Sequence, residues 1–312
     1  MGDKTVSLVL SSGGARGMAH IGAIEALEES GYRIVSIAGC SIGALIGGLY
    51  ATGKLPEFKE WICNLDKIDV FSLMDFTFSR NGFIKGDRVF NAIQQIVPDS
   101  QIEDLIIPFR CTAVEIPSGT EKIFTKGSLY GAIRASVSIP TVLTPAQVKG
   151  KFYIDGGILN PIPFSLLSKK TKGDLVVAID LNGPREAFVH PEKTVKTDEV
   201  GHLLKLPLWA AEYREKFRKY ISSDEKKVEQ PKQMGSIELL NHSFDLLQDK
   251  LSAFVIKKNK MDLLIEISRM QAGTLEFYRA SELIQIGKNK TFAAIEKFEN
   301  GHQPAQLPSG KH

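Results

Sequence analysis

The pentapeptide Gly39-Cys40-Ser41-Ile42-Gly43 has the spacing G-x-S-x-G, with a serine held between two glycines. An apolar segment precedes it and small residues follow it, as in a sharp turn from a β-strand into an α-helix. Such a turn pushes the central side chain out of the sheet, and glycines on both sides relieve the crowding. The pattern predicts that Ser41 is a nucleophile and that Gly39 and Gly43 form its turn. The alternative is a tight turn in which Ser41 only caps the helix.

A second glycine-rich segment, residues 11–17, also lies between a predicted strand and a predicted helix. Its spacing matches neither a phosphate loop nor a dinucleotide-binding loop. An oxyanion hole needs only about two N–H donors near a nucleophile. Because neighbouring parallel strands end side by side, Gly13 and Gly14 are predicted to form that hole beside Ser41, with Arg16 orienting or stabilising the loop. The alternative is a glycine-rich turn without a ligand.

A nucleophilic serine needs a base, and none of the six histidines lies at a strand end. They are His20, His190, His202, His242, His302 and His312. Asp155 ends a predicted strand, and two glycines follow it. Its unperturbed pKa of about 3.9 is too low for a base, so the site would have to desolvate it. The sequence predicts a dyad of Ser41 and Asp155; the alternative is an aspartate that caps its own turn.

The composition excludes several classes of protein. Of the 312 residues, 43% are hydrophobic and 24% are charged, and the net charge is +3. These values are ordinary for a globular protein, and without a basic stripe we expect no nucleic-acid partner. No metal-ligand spacing or cofactor motif is present, so neither is predicted. Three cysteines without a CxxC pair, and no apolar stretch near the roughly 20 residues of a membrane span, predict a cytoplasmic protein.

The pattern along the chain predicts the elements that must position these residues. Strand, helix, strand and helix alternate in the first fifty residues, which favours a right-handed βαβ unit and a parallel sheet. Residues 184–235 are polar and rich in both charges and are predicted to be an insertion. Residues 236–300 add a helix, a strand and a helix to the same domain. Residues 301–312 are predicted to be a disordered tail.

Two segments could contact lipid. One is an aromatic and apolar cluster that could line an acyl channel, meet a lipid surface, or belong to the core: Phe71, Leu73, Met74, Phe76, Phe78 and Phe83. The other, residues 205–221, mixes apolar and basic residues and could be an interfacial helix. Packing on its own protein or a homo-oligomer contact explains the second segment equally well.

Together, residues 12–17, 39–43 and 155–157 resemble three motifs of the patatin-like phospholipase family, in its bacterial cytoplasmic branch. These are its G-G-G-x-R/K-G loop, its G-x-S-x-G turn and its D-G-G/A aspartate. The segment "RASVSIPTVLTP" is similar to the Ser/Pro-rich segment before that aspartate. Ser12 departs from the family pattern, because it replaces the first glycine of the loop. Residues 1–183 would then be the patatin-like catalytic core.

The resemblance implies a three-layer α/β/α sandwich with a mainly parallel central sheet. It implies an acyl-ester hydrolase in which Ser41 forms an acyl-enzyme, Asp155 is the base, and Gly13, Gly14 and Arg16 hold the oxyanion. It further implies a lipid or acyl-ester substrate, no cofactor, and a cytoplasmic protein that can contact the inner membrane face. An acyltransferase or thioesterase with the same dyad, or a non-catalytic regulator, remains an alternative.

Overall fold

The computed structural model describes residues 4–79, 82–167, 172–185 and 235–301. The segment 205–221 lies outside them, as do the predicted insertion and tail except for residues 184–185, 235 and 301. The strands of the described residues are β1 (Lys4–Leu10), β2 (Tyr32–Cys40), β3 (Phe76–Ser79), β4 (Gly82–Ile84), β5 (Phe109–Ile116), β6 (Thr120–Phe124), β7 (Ala146–Val148), β8 (Lys151–Asp155), β9 (Leu175–Gly183) and β10 (Leu263–Ser268). The α-helices are α1 (Met18–Glu29), α2 (Ile42–Ala51), α3 (Leu55–Cys63), α4 (Lys67–Leu73), α5 (Asp87–Ile96), α6 (Leu129–Ser136), α7 (Ser236–Lys258) and α8 (Ala280–Gly301).

The central sheet has eight strands in the order β10-β9-β1-β2-β5-β8-β7, and β6 also pairs with β5. The pairs from β10 through β5 are all parallel. Strands β6 and β8 run antiparallel to β5, and β7 runs antiparallel to β8. The sheet is therefore mixed, with a parallel half that holds both glycine-rich turns. Strands β3 and β4 form a separate antiparallel pair.

Helices cover both faces of this sheet, which confirms the predicted three-layer sandwich. The chain moves from β1 to β2 through α1, and in the opposite direction from β9 to β10 through α7. Right-handed crossovers in opposite directions place these two helices on opposite faces. The core agrees: Leu8 and Leu10 belong to the main apolar cluster with α1, whereas Val9 packs in a second cluster with Val255 and Ile256 of α7.

Strands β1 and β9 lie side by side at the point where the direction of the crossovers reverses. In open α/β sheets, ligands bind beyond the carboxyl ends of the strands at such a switch point. The glycine-rich loop follows β1 there, and the turn with Ser41 follows the neighbouring strand β2. The topology therefore brings the two predicted turns to the same edge of the sheet.

The contacts divide the chain into two compact units, residues 1–187 with 240–312 and residues 188–239. The first contains the sheet and its helices. Of the second, the structure describes residues 235–239, where α7 begins. The division into a core, an insertion and a completing C-terminal segment stays a prediction.

Candidate active site

Ser41 occupies a strained turn between β2 and α2. Its backbone dihedral φ is 54° and its ψ is −123°, a conformation that residues other than glycine rarely adopt. A Cβ atom on Gly39 would lie 2.5 Å from the carbonyl oxygen of Gly43, and one on Gly43 would lie 2.3 Å from that of Leu10. No side chain fits at either position without a backbone shift. The turn thus has the shape that the spacing of its glycines predicts.

The Ser41 hydroxyl lies against the carboxylate of Asp155, which ends β8. Ser41 Oγ donates a hydrogen bond of 2.5 Å to Asp155 Oδ2. The other oxygen, Oδ1, accepts the backbone N–H of Gly157 at 2.7 Å. Asp155 therefore both contacts Ser41 and caps its own turn, so the cap does not prevent the predicted pairing. Each residue is 3% exposed, which removes the pair from bulk water.

Burial changes the acid–base chemistry of this pair. It raises the pKa of Asp155 from 3.8 to about 7, although the hydrogen bonds from Ser41 and Gly157 oppose the shift. A carboxylate with this pKa is a much better proton acceptor at neutral pH than an exposed one. Burial also raises the pKa of Cys40, followed in importance by the nearby charge of Asp155. Cys40 is fully buried and does not line the cavity, whereas Ser41 does, so the geometry favours Ser41 over Cys40 as the nucleophile.

The glycine-rich loop lies beside the pair, and Gly14 and Ser41 line the same cavity. Gly14 has φ 58°, and the N–H of the next residue, Ala15, donates to the carbonyl of Thr274 at 2.9 Å. Ser12 N–H donates to the carbonyl of Pro161. Among the described residues, the loop contacts leave the N–H groups of Gly13 and Gly14 without an acceptor. Both are therefore available to an oxyanion.

Arg16 holds this loop against β9 and against the segment that follows β10. Its guanidinium donates to the carbonyls of Leu181 at 2.9 Å and Ala272 at 2.8 Å, and to Asn182 Oδ1 at 3.3 Å. Burial is the main cause that lowers its pKa to about 10. Because its donors are used on these acceptors, the structure favours the orienting role of Arg16 over a direct contact with the oxyanion.

We expect Arg16→Lys to destabilise the fold, since one ammonium group cannot replace a guanidinium fork that reaches three acceptors. The free energy of unfolding should fall by about 2–4 kcal/mol, measured by urea denaturation. The matched control is Arg88→Lys, because Arg88 also donates to a backbone carbonyl but is exposed. Unchanged stability together with a large loss of kcat would instead favour a direct contact between the guanidinium and the reacting groups.

Ser41 opens onto an apolar cavity of about 960 Å³, a volume that includes its mouth. Helices α2, α3 and α5 supply eight of its lining residues: Ile42, Leu45, Phe58, Trp61, Ile62, Val89, Phe90 and Ile93. Leu73 and Met74 of the predicted aromatic cluster also line it. Phe71 is partly buried outside the wall, and the side chains of Phe76, Phe78 and Phe83 lie outside the described residues. The wall carries no charged side chain among these residues.

A family model for patatin-like phospholipase matches residues 8–168, which contain all three motifs and the Ser41–Asp155 pair. The chain belongs to the patatin-like phospholipase family. An uncharacterised NTE family protein of Mycobacterium tuberculosis is 34% identical to it over 332 residues, which cover 94% of this chain and 92% of the relative. Lysophospholipase NTE1 of Scheffersomyces stipitis is 33% identical over 189 residues, 58% of this chain and 12% of that protein.

The fold is also similar to a solved structure, VipD from Legionella pneumophila. The TM-score is 0.55 at 15% sequence identity, with 96% of this chain and 67% of that chain covered. The family match and the structural similarity therefore both show the patatin fold, a mixed sheet with helices on both sides. In the part of the chain that the structure describes, no helix is both long and apolar enough to cross a membrane.

No histidine bonds to the Ser41–Asp155 pair among the described residues of this patatin-like chain. His20 is fully buried in α1, where its Nε2 lies 3.0 Å from the carbonyl of Ser11 and burial lowers its pKa to about 4. His242 lies on α7, and the four other histidines lie outside the described residues. Within that part, no group of three or more His, Cys, Asp or Glu side chains could hold a metal ion.

Two parts of the site are not predicted by the sequence motifs. One is the cavity wall from α3 and α5. The other is Ser136, whose Oγ accepts the backbone N–H of Ser41 at 2.9 Å. Ser136 lies within the segment that resembles the family's Ser/Pro-rich motif. That motif was the available signal, but it assigns no partner to any one of its serines.

Proposed function

We propose that this protein is a serine acyl-ester hydrolase that acts on phospholipids or lysophospholipids through a dyad of Ser41 and Asp155. One observation carries the proposal: a buried hydroxyl–carboxylate pair, joined by a hydrogen bond, opens onto an apolar cavity. The similarity to a protein named as a lysophospholipase supports the same class of substrate.

The chemistry follows from the positions of the groups. Asp155 accepts the proton of Ser41 Oγ as that oxygen attacks the ester carbonyl. The N–H groups of Gly13 and Gly14 stabilise the charge on the former carbonyl oxygen. The tetrahedral intermediate then expels the alcohol, which takes the proton from Asp155. Water then attacks the acyl-enzyme while Asp155 accepts its proton. The second tetrahedral intermediate expels Ser41 Oγ, which takes this proton back from Asp155, and the fatty acid leaves.

The cavity gives the reason for a lipid substrate. Each methylene that leaves water for an apolar wall contributes about 0.8 kcal/mol, so a long acyl chain is bound far more strongly than a short one. The described wall offers no charge to a phosphate, so the head group lies outside the cavity. A lipid whose acyl chain enters the cavity while its head group stays outside can be taken up from a membrane surface. We therefore also propose that the protein makes peripheral contact with the inner membrane face.

The test is the release of fatty acid from lysophosphatidylcholine and from phosphatidylcholine vesicles, with Ser41→Ala as the control. We expect release by the wild-type protein and none above background by the variant. An added alcohol acceptor separates hydrolysis from acyl transfer, because a transferase forms the new ester in preference to the free acid. Equal release by both proteins would refute the proposal.

We expect kcat/KM to increase as the pH rises through about 7, because Asp155 must be ionised to accept the serine proton and burial raises its pKa to about 7. A neutral nitrophenyl ester, which does not itself titrate, is the substrate for this profile. The control is Asp180→Asn, since burial also raises the pKa of Asp180, to about 6. The midpoint should stay near 7 in that variant. A profile that is flat or falls between pH 5 and 8 would contradict the role of Asp155 as base.

A further inference from the structure

Ser136 and the three residues after it form a short segment that contacts both the Ser41–Asp155 pair and the apolar cavity. Ser136 ends α6, and the segment continues through Val137, Ser138 and Ile139. Val137 and Ile139 line the apolar cavity. The carbonyl of Ser138 accepts the backbone N–H of Asp155 at 2.9 Å. The Ser136 hydroxyl and the Ser138 carbonyl therefore accept the backbone N–H groups of Ser41 and Asp155, while Val137 and Ile139 face the cavity.

The hydroxyl of Ser136 has both of its hydrogen-bonding roles assigned. It donates to the carbonyl of Thr112 in β5 at 2.6 Å, and it accepts the N–H of Ser41 at 2.9 Å. Because its proton is used on Thr112, a lone pair of Oγ remains directed to Ser41. Ser136 is fully buried, so water does not compete for either bond.

The carbonyl of Thr112 also contacts the turn that follows Asp155. A Cβ atom on Gly156 would lie 2.4 Å from the Thr112 oxygen, so the turn after Asp155 packs directly on it. One hydroxyl thus connects the backbone of the nucleophile, through Thr112, to the backbone next to its partner.

The backbone of Ser41 needs such a support. Its φ of 54° is strained for a residue other than glycine, and such a residue keeps this conformation only when its surroundings hold it. Its N–H precedes the first turn of α2, so it has no acceptor within the helix. The bond to Ser136 also occupies this N–H, which removes it from the donors open to an oxyanion.

We propose that Ser136 is a positioning residue for the nucleophile: its hydroxyl holds the strained Ser41 backbone at hydrogen-bond distance from Asp155. The inference rests on the proposed function, since it concerns the same dyad. It assigns no contact with substrate to Ser136, so binding should not depend on it. Errors of about 1 Å in the placement of reacting groups cost about a hundredfold in rate.

The experiment compares Ser136→Ala and Ser136→Cys with the wild-type protein on a short nitrophenyl ester. We expect Ser136→Ala to lower kcat by about 10- to 100-fold with KM changed less than about twofold. Ser136→Cys keeps a donor and an acceptor at this position but is somewhat larger and bonds more weakly, and its kcat should lie between the two. The pH midpoint should not move in either variant. The matched control is Ser7→Ala, because Ser7 is another fully buried hydroxyl that accepts a backbone N–H, that of Gly173.

Hydrogen exchange at the Ser41 amide, resolved to a single residue, supplies a measurement that does not depend on activity. We expect faster exchange in Ser136→Ala and unchanged exchange in Ser7→Ala. An active wild-type enzyme with unchanged kcat in both Ser136 variants would overturn the inference. Should Ser136→Ala fold poorly, Ser136→Cys decides by the same criteria. An inactive wild-type protein would refute the proposed function alone, and unchanged amide exchange would then refute the role of Ser136 as well.

Discussion

Ser41→Ala lowers kcat by about 10⁴-fold or more, the largest effect that we expect from any single substitution. The acyl-enzyme forms on Ser41 Oγ, so the variant has no atom to accept the acyl group. Fatty-acid release from lysophosphatidylcholine is the measurement. The cavity is intact in the variant, so binding of the lipid should persist. Activity above about 1% of wild type would show that another group is the nucleophile.

Ser41→Gly separates loss of chemistry from loss of fold. Glycine adopts a φ of 54° without strain, whereas serine and alanine do not. We expect this variant to be equally inactive but to unfold at a higher temperature than Ser41→Ala. A lower Tm for the glycine variant would mean that the turn is not strained in the way that its dihedrals indicate.

Asp155→Asn also lowers kcat by about 10⁴-fold, because an amide oxygen can accept the hydrogen bond of Ser41 but does not take its proton. The two residues act as one unit, so the double variant should be no less active than Ser41→Ala alone. Additive losses in the double variant would contradict a shared role. The measurement is again kcat with the neutral ester at pH 8.

The stability of Asp155→Asn tests whether the charge of the Asp155 carboxylate is buried. In the folded protein the pKa of Asp155 is raised to about 7 from 3.8, so between these values the folded state keeps a proton that the unfolded state has released. Stability of the wild type therefore falls as the pH rises through this window, by on the order of a few kcal/mol. Asparagine does not ionise. We expect Asp155→Asn to be more stable than wild type at pH 8 and to lose this advantage as the pH falls toward 4.

The turns of the site could be predicted from the sequence because their chemistry is local. The turn around Ser41 requires glycine at positions 39 and 43, which lie within five residues of chain, and Gly156 follows Asp155 directly. The parallel half of the sheet follows from alternating strands and helices in the same way. The antiparallel half, β6 to β8, depends on pairing between distant strands, which the spacing of apolar residues does not specify.

Other features depend on contacts between distant residues. The side chain that caps α5 is Asp75, whose carboxylate accepts the N–H groups of Gly86 and Asp87 from outside the helix. The acceptors of Arg16 lie more than a hundred residues away along the chain, and Ser136 lies 95 residues from Ser41. Helices α3 and α5 are amphipathic, but nothing in their spacing shows that their apolar faces meet across a cavity.

The most direct test of the central claim is to treat the purified protein with a fluorophosphonate, which phosphonylates activated serines, and to map the modified peptide by mass spectrometry. We expect rapid labelling of the wild-type protein at Ser41 and little labelling of Asp155→Asn. The labelling rate should increase with pH through about 7, because Ser41 attacks the probe only when the Asp155 carboxylate is ionised and can accept its proton. Labelling of Asp155→Asn at the wild-type rate, or no labelling of the folded wild-type protein, would contradict a catalytic dyad of Ser41 and Asp155.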